Sequence, residues 1–209
     1  VAELKHADIH AVLLAAGASR RFGADNKLLI EIDGTPLVRR VAERLVSSRV
    51  AGVMVVTGFE AERIRDALAG LDIHFVENPD FAEGLAASIK CGIAALPEDS
   101  DAAMIVLGDM PGTTQALLDK LIGIFEEGHG EKIVLPERKG GAQGNPVIWP
   151  ARYFSELLKL SGDKGAKQLI SQYREAVRPV PVGNEAALGD IDTPGDLEGW
   201  REGAGEKGS

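Results

Sequence analysis

A stretch near the start of the chain, "AVLLAAGASRRFGADNKLL" (residues 11–29), sets Ser19, Arg20, Arg21 and Lys27 behind an apolar run that ends at Gly17. Glycine lets backbone approach a ligand closely, and consecutive free N–H groups in such a turn form a nest for an anion. Arg21 adds a planar fork for phosphate oxygens, and Lys27 adds a compact point charge. The loop is neither of the two familiar phosphate loops. Lys27 does not follow Gly23, as GxxxxGK requires, and GxGxxG is absent. By itself the stretch is better explained as a solvated basic turn.

Two acidic sites recur further on. In "VLGDMP", Asp109 follows a short apolar run and stands between Gly108 and a Met-Pro step. A hard carboxylate there suits Mg2+, which commonly takes one or two protein carboxylates and completes its shell with water and phosphate oxygens. The plain alternative is a turn or a helix cap before "TTQALL". In "GDIDTPGDL", Asp190 and Asp192 share one face if the segment is extended. Adjacent carboxylates repel unless a cation intervenes, although Asp192-Thr193-Pro194 also makes a good helix start. Taken together, one anion loop and two acidic sites favour metal-assisted chemistry on a nucleoside triphosphate.

Alternating elements must position these residues. "IHAVLLAAG" reads as a buried strand with a glycine stop, and "TPLVRRVAERLVSS" as a helix with Pro36 near its start. "VAGVMVVTGF", "IHFVENPD" and "DAAMIVLGDMP" read as strands two to four. Helices "EAERIRDALAG", "FAEGLAASIKCGIAAL" and "TTQALLDKLIGIFEEG" follow them in turn. "KIVLPERKGGAQGNPVIWP" breaks the pattern as two strands around a glycine-rich turn, which predicts an antiparallel feature at the sheet edge. "RYFSELLKL" and "KGAKQLISQY" read as short helices, "AVRPVPV" as a strand, and "GDLEGWREGAGEKGS" as a tail that starts helical and ends disordered. The βαβα order implies an α/β fold: a three-layer, Rossmann-like, mostly parallel twisted sheet with helices on both faces and a small antiparallel extension. Ligands in such a sheet sit outside the C-terminal strand ends, where Gly17 to Lys27, Asn78, Gly108 and Asp109 fall.

Bulk composition narrows the partners. The chain has 209 residues and net charge −9, from 32 carboxylates against 23 Lys and Arg, which disfavours a general nucleic-acid binder. Aromatic content of 5% argues against a stacking platform for single strands. A lone cysteine, Cys91, falls in a small-residue helix and reads as a packed, inert thiol. No apolar run reaches membrane-spanning length and no signal peptide is visible, so the expectation is a cytoplasmic protein without a membrane partner. With no internal linker, a single domain over residues 1–209 is expected, its ordered core at about 9–200. The initial Val leaves room for a longer chain.

At this level of detail "VLLAAGASRRFGADNKLL" resembles the LxAGxSxRMGxxK signature of the nucleotidyltransferases that build molybdenum cofactor dinucleotides. "NPDFAEGLAASIKCG", "VLGDMP", "GNPVIWP", "GDKGAK" and "DIDTPGDL" follow in the family's order, so the resemblance covers about Ile9 to Leu197. Within it, "LAAG" is similar to the cytidylyltransferase branch, where the guanylyltransferase branch usually has "LAGG". Some members are fused behind a molybdopterin-binding domain.

The resemblance implies the nucleotide-diphospho-sugar transferase fold and a set of roles. Leu14, Ala15, Ala16 and Gly17 contact base and ribose, with Gly108 nearby and Ser19 and Arg21 at the triphosphate. Lys27 holds the α-phosphate, while Asn78 and Ser88 help read the base. Asp109 and Asp192 carry Mg2+, with Asp190 as their neighbour. Gly144, Asn145 and Pro146, with Gly162, Asp163 and Gly165 of "GDKGAK", line the acceptor side. Phe22 stands where the family usually has Met, and Asn145 where many relatives have His. The implied reaction moves CMP from CTP to a molybdopterin-type acceptor, with a molybdopterin-binding domain or a molybdoenzyme as the protein partner. Other acceptors, such as a sugar or polyol phosphate, GTP as donor, and a non-catalytic nucleotide-binding module are the alternatives. No role falls to His6, His10, His74 or His129.

Overall fold

The structure, a computed structural model, describes residues 6–18, 22, 26–162, 165–183, 189–191 and 193–205. In chain order the elements are β1 (Ile9–Ala15), β2 (Glu31–Ile32), β3 (Thr35–Pro36), α1 (Leu37–Val46), β4 (Gly52–Thr57), α2 (Ala61–Ala67), β5 (His74–Glu77) and α3 (Leu85–Ala94). There follow β6 (Ala102–Leu107), α4 (Gln115–Glu127), β7 (Ile133–Arg138), β8 (Val147–Pro150), α5 (Phe154–Leu157), α6 (Lys167–Gln172), β9 (Val177–Val182) and α7 (Pro194–Gly205).

Seven strands form one sheet in the order β5-β4-β1-β6-β8-β7-β9. β1 lies between β4 and β6, parallel to both, with Val12 opposite Met54 on one side and Ile105 on the other. Its apolar run is continuous because both faces of a parallel sheet are covered. Ala11, Leu13 and Ala15 pack with α1, α2 and α4 through Val41, Ile64 and Leu118. Val12 and Leu14 face the other layer, where Ile89, Leu157 and Leu169 bring in α3, α5 and α6. Period-two alternation of the strand thus builds the two layers.

The antiparallel feature differs in place from its expectation. β8 runs antiparallel to both β6 and β7 and lies between them, inside the sheet. Composition explains it: all four residues of β8 are buried, Trp149 fully, so the strand needs cover on both faces. β9 takes the edge instead, with Arg178, Pro179 and Pro181 exposed. Proline has no N–H to offer a neighbouring strand, which suits it to an edge.

Two further departures are local. The third helix does not begin at Phe81: a 3-10 turn covers Phe81–Glu83, Gly84 takes φ 104°, and α3 starts at Leu85. The small hairpin of β2 and β3 was not anticipated, although Asp33 (φ 53°) and Gly34 (φ 74°) supply the Asp-Gly turn that such hairpins prefer. Its Ile32 joins Leu37, Ile191 and Leu197 in a third, smaller apolar cluster, with Phe22, Ile30 and Trp200 packed against it. Phe22 therefore keeps an apolar packing role at its unusual position. Among the described residues no helix is long and apolar enough to cross a membrane.

Candidate functional site

At the end of β6, Gly108 donates its N–H to the Leu14 carbonyl at 3.1 Å. A Cβ on Gly108 would fall 3.1 Å from that oxygen and 3.3 Å from Leu28 Cδ2, so glycine allows β1, β6 and the Lys27 segment to converge. Lys27 opens a 3-10 turn, Lys27–Leu29, whose cap is Asn26: its Oδ1 accepts from Leu28 N at 3.1 Å. The result brings Lys27 Nζ within 2.6 Å of Asp109 Oδ2, with the two side chains only 14% and 16% exposed.

Asp109 lies in an unusual balance. Burial pushes its carboxyl above the ordinary range, the charge and hydrogen bond of Lys27 pull it back, and the Asp190 charge pushes it up again. The net shift is upward. Among the described residues its second oxygen, Oδ1, is buried without a hydrogen-bond partner, as is Asn26 Nδ2 in the adjoining turn. A half-satisfied buried carboxylate costs free energy unless another cation or donor reaches it.

The carboxy-terminal segment reaches the same edge. Ile191 N–H donates to the Asp109 carbonyl at 3.0 Å, which fixes Asp190 close enough to act on the Asp109 carboxyl. The third apolar cluster anchors this segment through Ile191 and Leu197, and Arg40 lies 5.6 Å from the Trp200 ring centre. At the start of α7, Thr193 and Asp196 cap one another, with Asp196 Oδ2 accepting from Thr193 N and Oγ1 at 2.7 and 2.8 Å.

Other expected residues fall around this edge in different states. Leu14, Ala15 and Ala16 are buried where β1 ends, and Gly17 is the first exposed position. The Ala16 carbonyl accepts from Phe59 N at 3.2 Å. Asn78 and Ser88 are buried and hold each other: Asn78 Nδ2 donates to Ser88 Oγ at 3.1 Å, and its Oδ1 accepts from Asp80 N at 3.0 Å. Both polar ends of Asn78 are thus engaged in shaping the loop before α3. Because β8 runs antiparallel, with Val147 opposite Ile105, Gly144, Asn145 and Pro146 enter it at the edge that carries Asp109. The Asn145–Pro146 bond is cis. Gly162 accepts from Ala86 N at 3.2 Å, and a Cβ on Gly165 would fall 2.7 Å from Leu85 Cδ2, so both pack at the start of α3. Ser19, Arg20, Arg21, Asp163, Lys164 and Asp192 lie outside the described residues.

The four histidines stay away from this edge or in solvent-facing positions that need no chemistry. His10 binds Ser100 Oγ at 3.1 Å near the start of β1, and His6 joins Glu126 and Arg49. Cys91 is half-buried, contacts the Glu77 carbonyl at 3.6 Å, and burial pushes its thiol up, as an inert cysteine should show. Among the described residues no cluster of three His, Cys, Asp or Glu side chains could hold a metal. Asp109 fits a cation that needs only one or two protein carboxylates, since Oδ1 is an oxygen ligand without a partner. Two positioning features escaped the sequence reading: Asn26, signalled only by an Asn directly before the turn, and the cluster under α7.

Comparison with known proteins identifies the family and the fold. Residues 11–177 match the family described as "MobA-like NTP transferase domain". A Natronomonas pharaonis protein named "Probable molybdenum cofactor guanylyltransferase" is 28% identical, over 91% of this chain and 96% of its own length. "Nicotine blue oxidoreductase" of Paenarthrobacter nicotinovorans is 28% identical over 87% of this chain and 91% of its own. "Molybdenum cofactor cytidylyltransferase" of Escherichia coli K12 is 25% identical over 90% and 93%. The crystal structure of a Mycobacterium tuberculosis H37Rv protein superposes with TM-score 0.82 at 27% identity, over 94% of this chain and 99% of that one. The manganese complex of the same mycobacterial protein superposes with TM-score 0.76 at 26% identity, over 93% and 98%. The chain belongs to the MobA-like NTP transferase family and is a nucleotidyltransferase.

Proposed function

We propose that the protein transfers CMP from CTP to the terminal phosphate of molybdopterin or its molybdenum form, releasing pyrophosphate, in the cytoplasm. The observation that carries this reading is the pair of Lys27 and Asp109 at the C-terminal strand edge, with Asp109 Oδ1 left without a partner. It is supported by the names of two relatives that act on the molybdenum cofactor. The choice of CTP over GTP rests on the resemblance of Leu14-Ala15-Ala16-Gly17 to the signature of the cytidylyltransferase branch. Ala16 is buried, and its methyl would lie 2.9 Å from a Cβ on Gly58, so this position forms a packed floor beside the edge.

In this reading an acceptor phosphate oxygen forms a bond to the α-phosphorus, and the α–β bridging oxygen leaves with the electron pair as pyrophosphate. A phosphate monoester is largely ionised near neutral pH, so the protein need not supply a strong base. Such transfers depend on positioning and on neutralising charge. Lys27 offsets charge on the α-phosphoryl oxygens, and Arg21 holds the departing pyrophosphate. The backbone at Ala15 to Gly17 seats base and ribose, and Asn78 and Ser88, which hold each other, help read the base. Gly144 to Pro146, which enter β8 at this edge, would orient the acceptor together with Gly162, Asp163 and Gly165. Asp109, with Asp190 and Asp192, would hold Mg2+, which supplies Lewis-acid neutralisation of phosphate oxygens when bound.

A second reading, with GTP as donor, is favoured by the Natronomonas relative. A panel of nucleoside triphosphates, followed by pyrophosphate release with molybdopterin and with sugar phosphates as acceptors, separates the readings. CTP with molybdopterin is expected to turn over fastest. A preference for GTP would move the assignment to guanylyl transfer, and turnover only with sugar phosphates would overturn the acceptor.

A further inference from the structure

We propose that Lys27 holds divalent cations off Asp109 until a triphosphate arrives, so that metal and nucleotide load together instead of metal first. This rests on the phosphate role of Lys27 and the metal role of Asp109 given above. Lys27 Nζ stands 2.6 Å from Asp109 Oδ2 and already serves as the carboxylate's counter-ion. A divalent cation reaching the remaining oxygen, Oδ1, would share one carboxylate with an ammonium group. With the two side chains 14% and 16% exposed, little water screens that repulsion. The exchange is balanced when a phosphate enters. Lys27 moves from one anion to another, and Asp109 trades a monovalent partner for a divalent one with both oxygens available. The neighbouring Asp190 keeps a demand for positive charge in place throughout. An ion pair that never opens would behave otherwise, keeping Asp109 closed to the metal even with a triphosphate present.

The test measures Mn2+ binding to the whole chain without any nucleotide, from the electron paramagnetic resonance of free Mn2+. Lys27→Met and Lys27→Gln are each expected to bind Mn2+ about tenfold more tightly than the unaltered protein, since a like charge beside the ligand is gone. Lys27→Arg keeps the charge and should bind as weakly as the unaltered protein. Lys120→Met removes a cation that instead donates to the Pro181 carbonyl, and should change affinity less than about twofold. Adding Asp109→Asn to Lys27→Met should erase the gain, which assigns it to this carboxylate. Affinity no tighter in Lys27→Met and Lys27→Gln would overturn the proposal, and a gain equal to that of Lys120→Met would reduce it to bulk charge. Pyrophosphate release tests the transferase reading separately, so a protein that turns over CTP without the Lys27 effect sinks this inference alone.

Discussion

Single residues decide whether Lys27 and Asp109 meet. Asn26 is 2% exposed and spends its Oδ1 on the Leu28 N–H that starts the turn carrying Lys27. Asn26→Ala should lower stability by about 1 kcal/mol, the usual worth of such a cap, and lower kcat more than it raises KM for the nucleotide. Asn26→Ser retains a capping oxygen and should recover much of both; equal losses in Ala and Ser would show that the cap is not what matters. Lys27 and Asp109 could be singled out only in combination, because a cationic loop and a carboxylate each fall at a strand end, while either alone reads as a solvated turn or a cap. Asn26 could not, because one Asn before a lysine has no spacing that marks it as a cap. The Asn78 and Ser88 contact was likewise hidden, since only the fold turns the two polar side chains toward one another.

Glu126 gives an independent residue-level check at a distance from the chemistry. Burial would push its carboxyl up, but hydrogen bonds from Arg49 and His6, the Arg49 charge and the Ala7 N–H outweigh it and leave the group below its ordinary 4.5. A lowered carboxyl contributes stability above its unfolded value, and that contribution is lost as pH falls through the folded value. Melting temperature should therefore decline on acidification below about pH 4.5, and Glu126→Gln should decline less over that window. Pyrophosphate release at neutral pH should be the same in both proteins. A variant with the full acid dependence of the parent would remove Glu126 from the explanation.

At the scale of elements, β8 and α7 bring further residues to the edge that carries Asp109. The sense of β8 brings Gly144 to Pro146 to the Asp109 edge, whereas a parallel strand would have sent them to the opposite one. The amino-acid pattern showed two strands around a turn but not their order in the sheet, because pairing between β6 and β8 is a long-range choice. The clues were compositional: "VIWP" is apolar throughout, while "VRPVPV" carries the prolines that suit an edge. α7 acts through its apolar side. Leu197 is 8% exposed in the cluster with Ile32, Leu37 and Ile191, and Ile191 is tied to the Asp109 carbonyl. Leu197→Ala should cost about 2 kcal/mol by chemical denaturation, at the low end for buried leucine because the cluster is small. It should also raise the Mg2+ concentration needed for half-maximal activity, as Ile191 loosens and with it Asp190. Destabilisation with an unchanged Mg2+ requirement would confine α7 to a packing role.

For the molecule as a whole, an acidic chain of net charge −9 concentrates a lysine and a buried carboxylate at one edge of a mixed sheet. The two-layer core serves that edge by fixing where β1 and β6 end, down to a glycine that has no room for a side chain without movement of its neighbours. Fold class and the position of the edge were readable from alternating patterns, because each strand and helix announces itself locally. The nucleotide and its acceptor rest on finer residues, and the relatives of this chain include proteins named for guanylyl transfer, cytidylyl transfer and oxidoreduction. The most direct test is pyrophosphate release from CTP with molybdopterin by the unaltered protein and by Asp109→Asn, with melting temperature measured on both. The account predicts release by the unaltered protein and a loss of about a hundredfold or more in Asp109→Asn without loss of the folded state. Release within about twofold of the parent would contradict it.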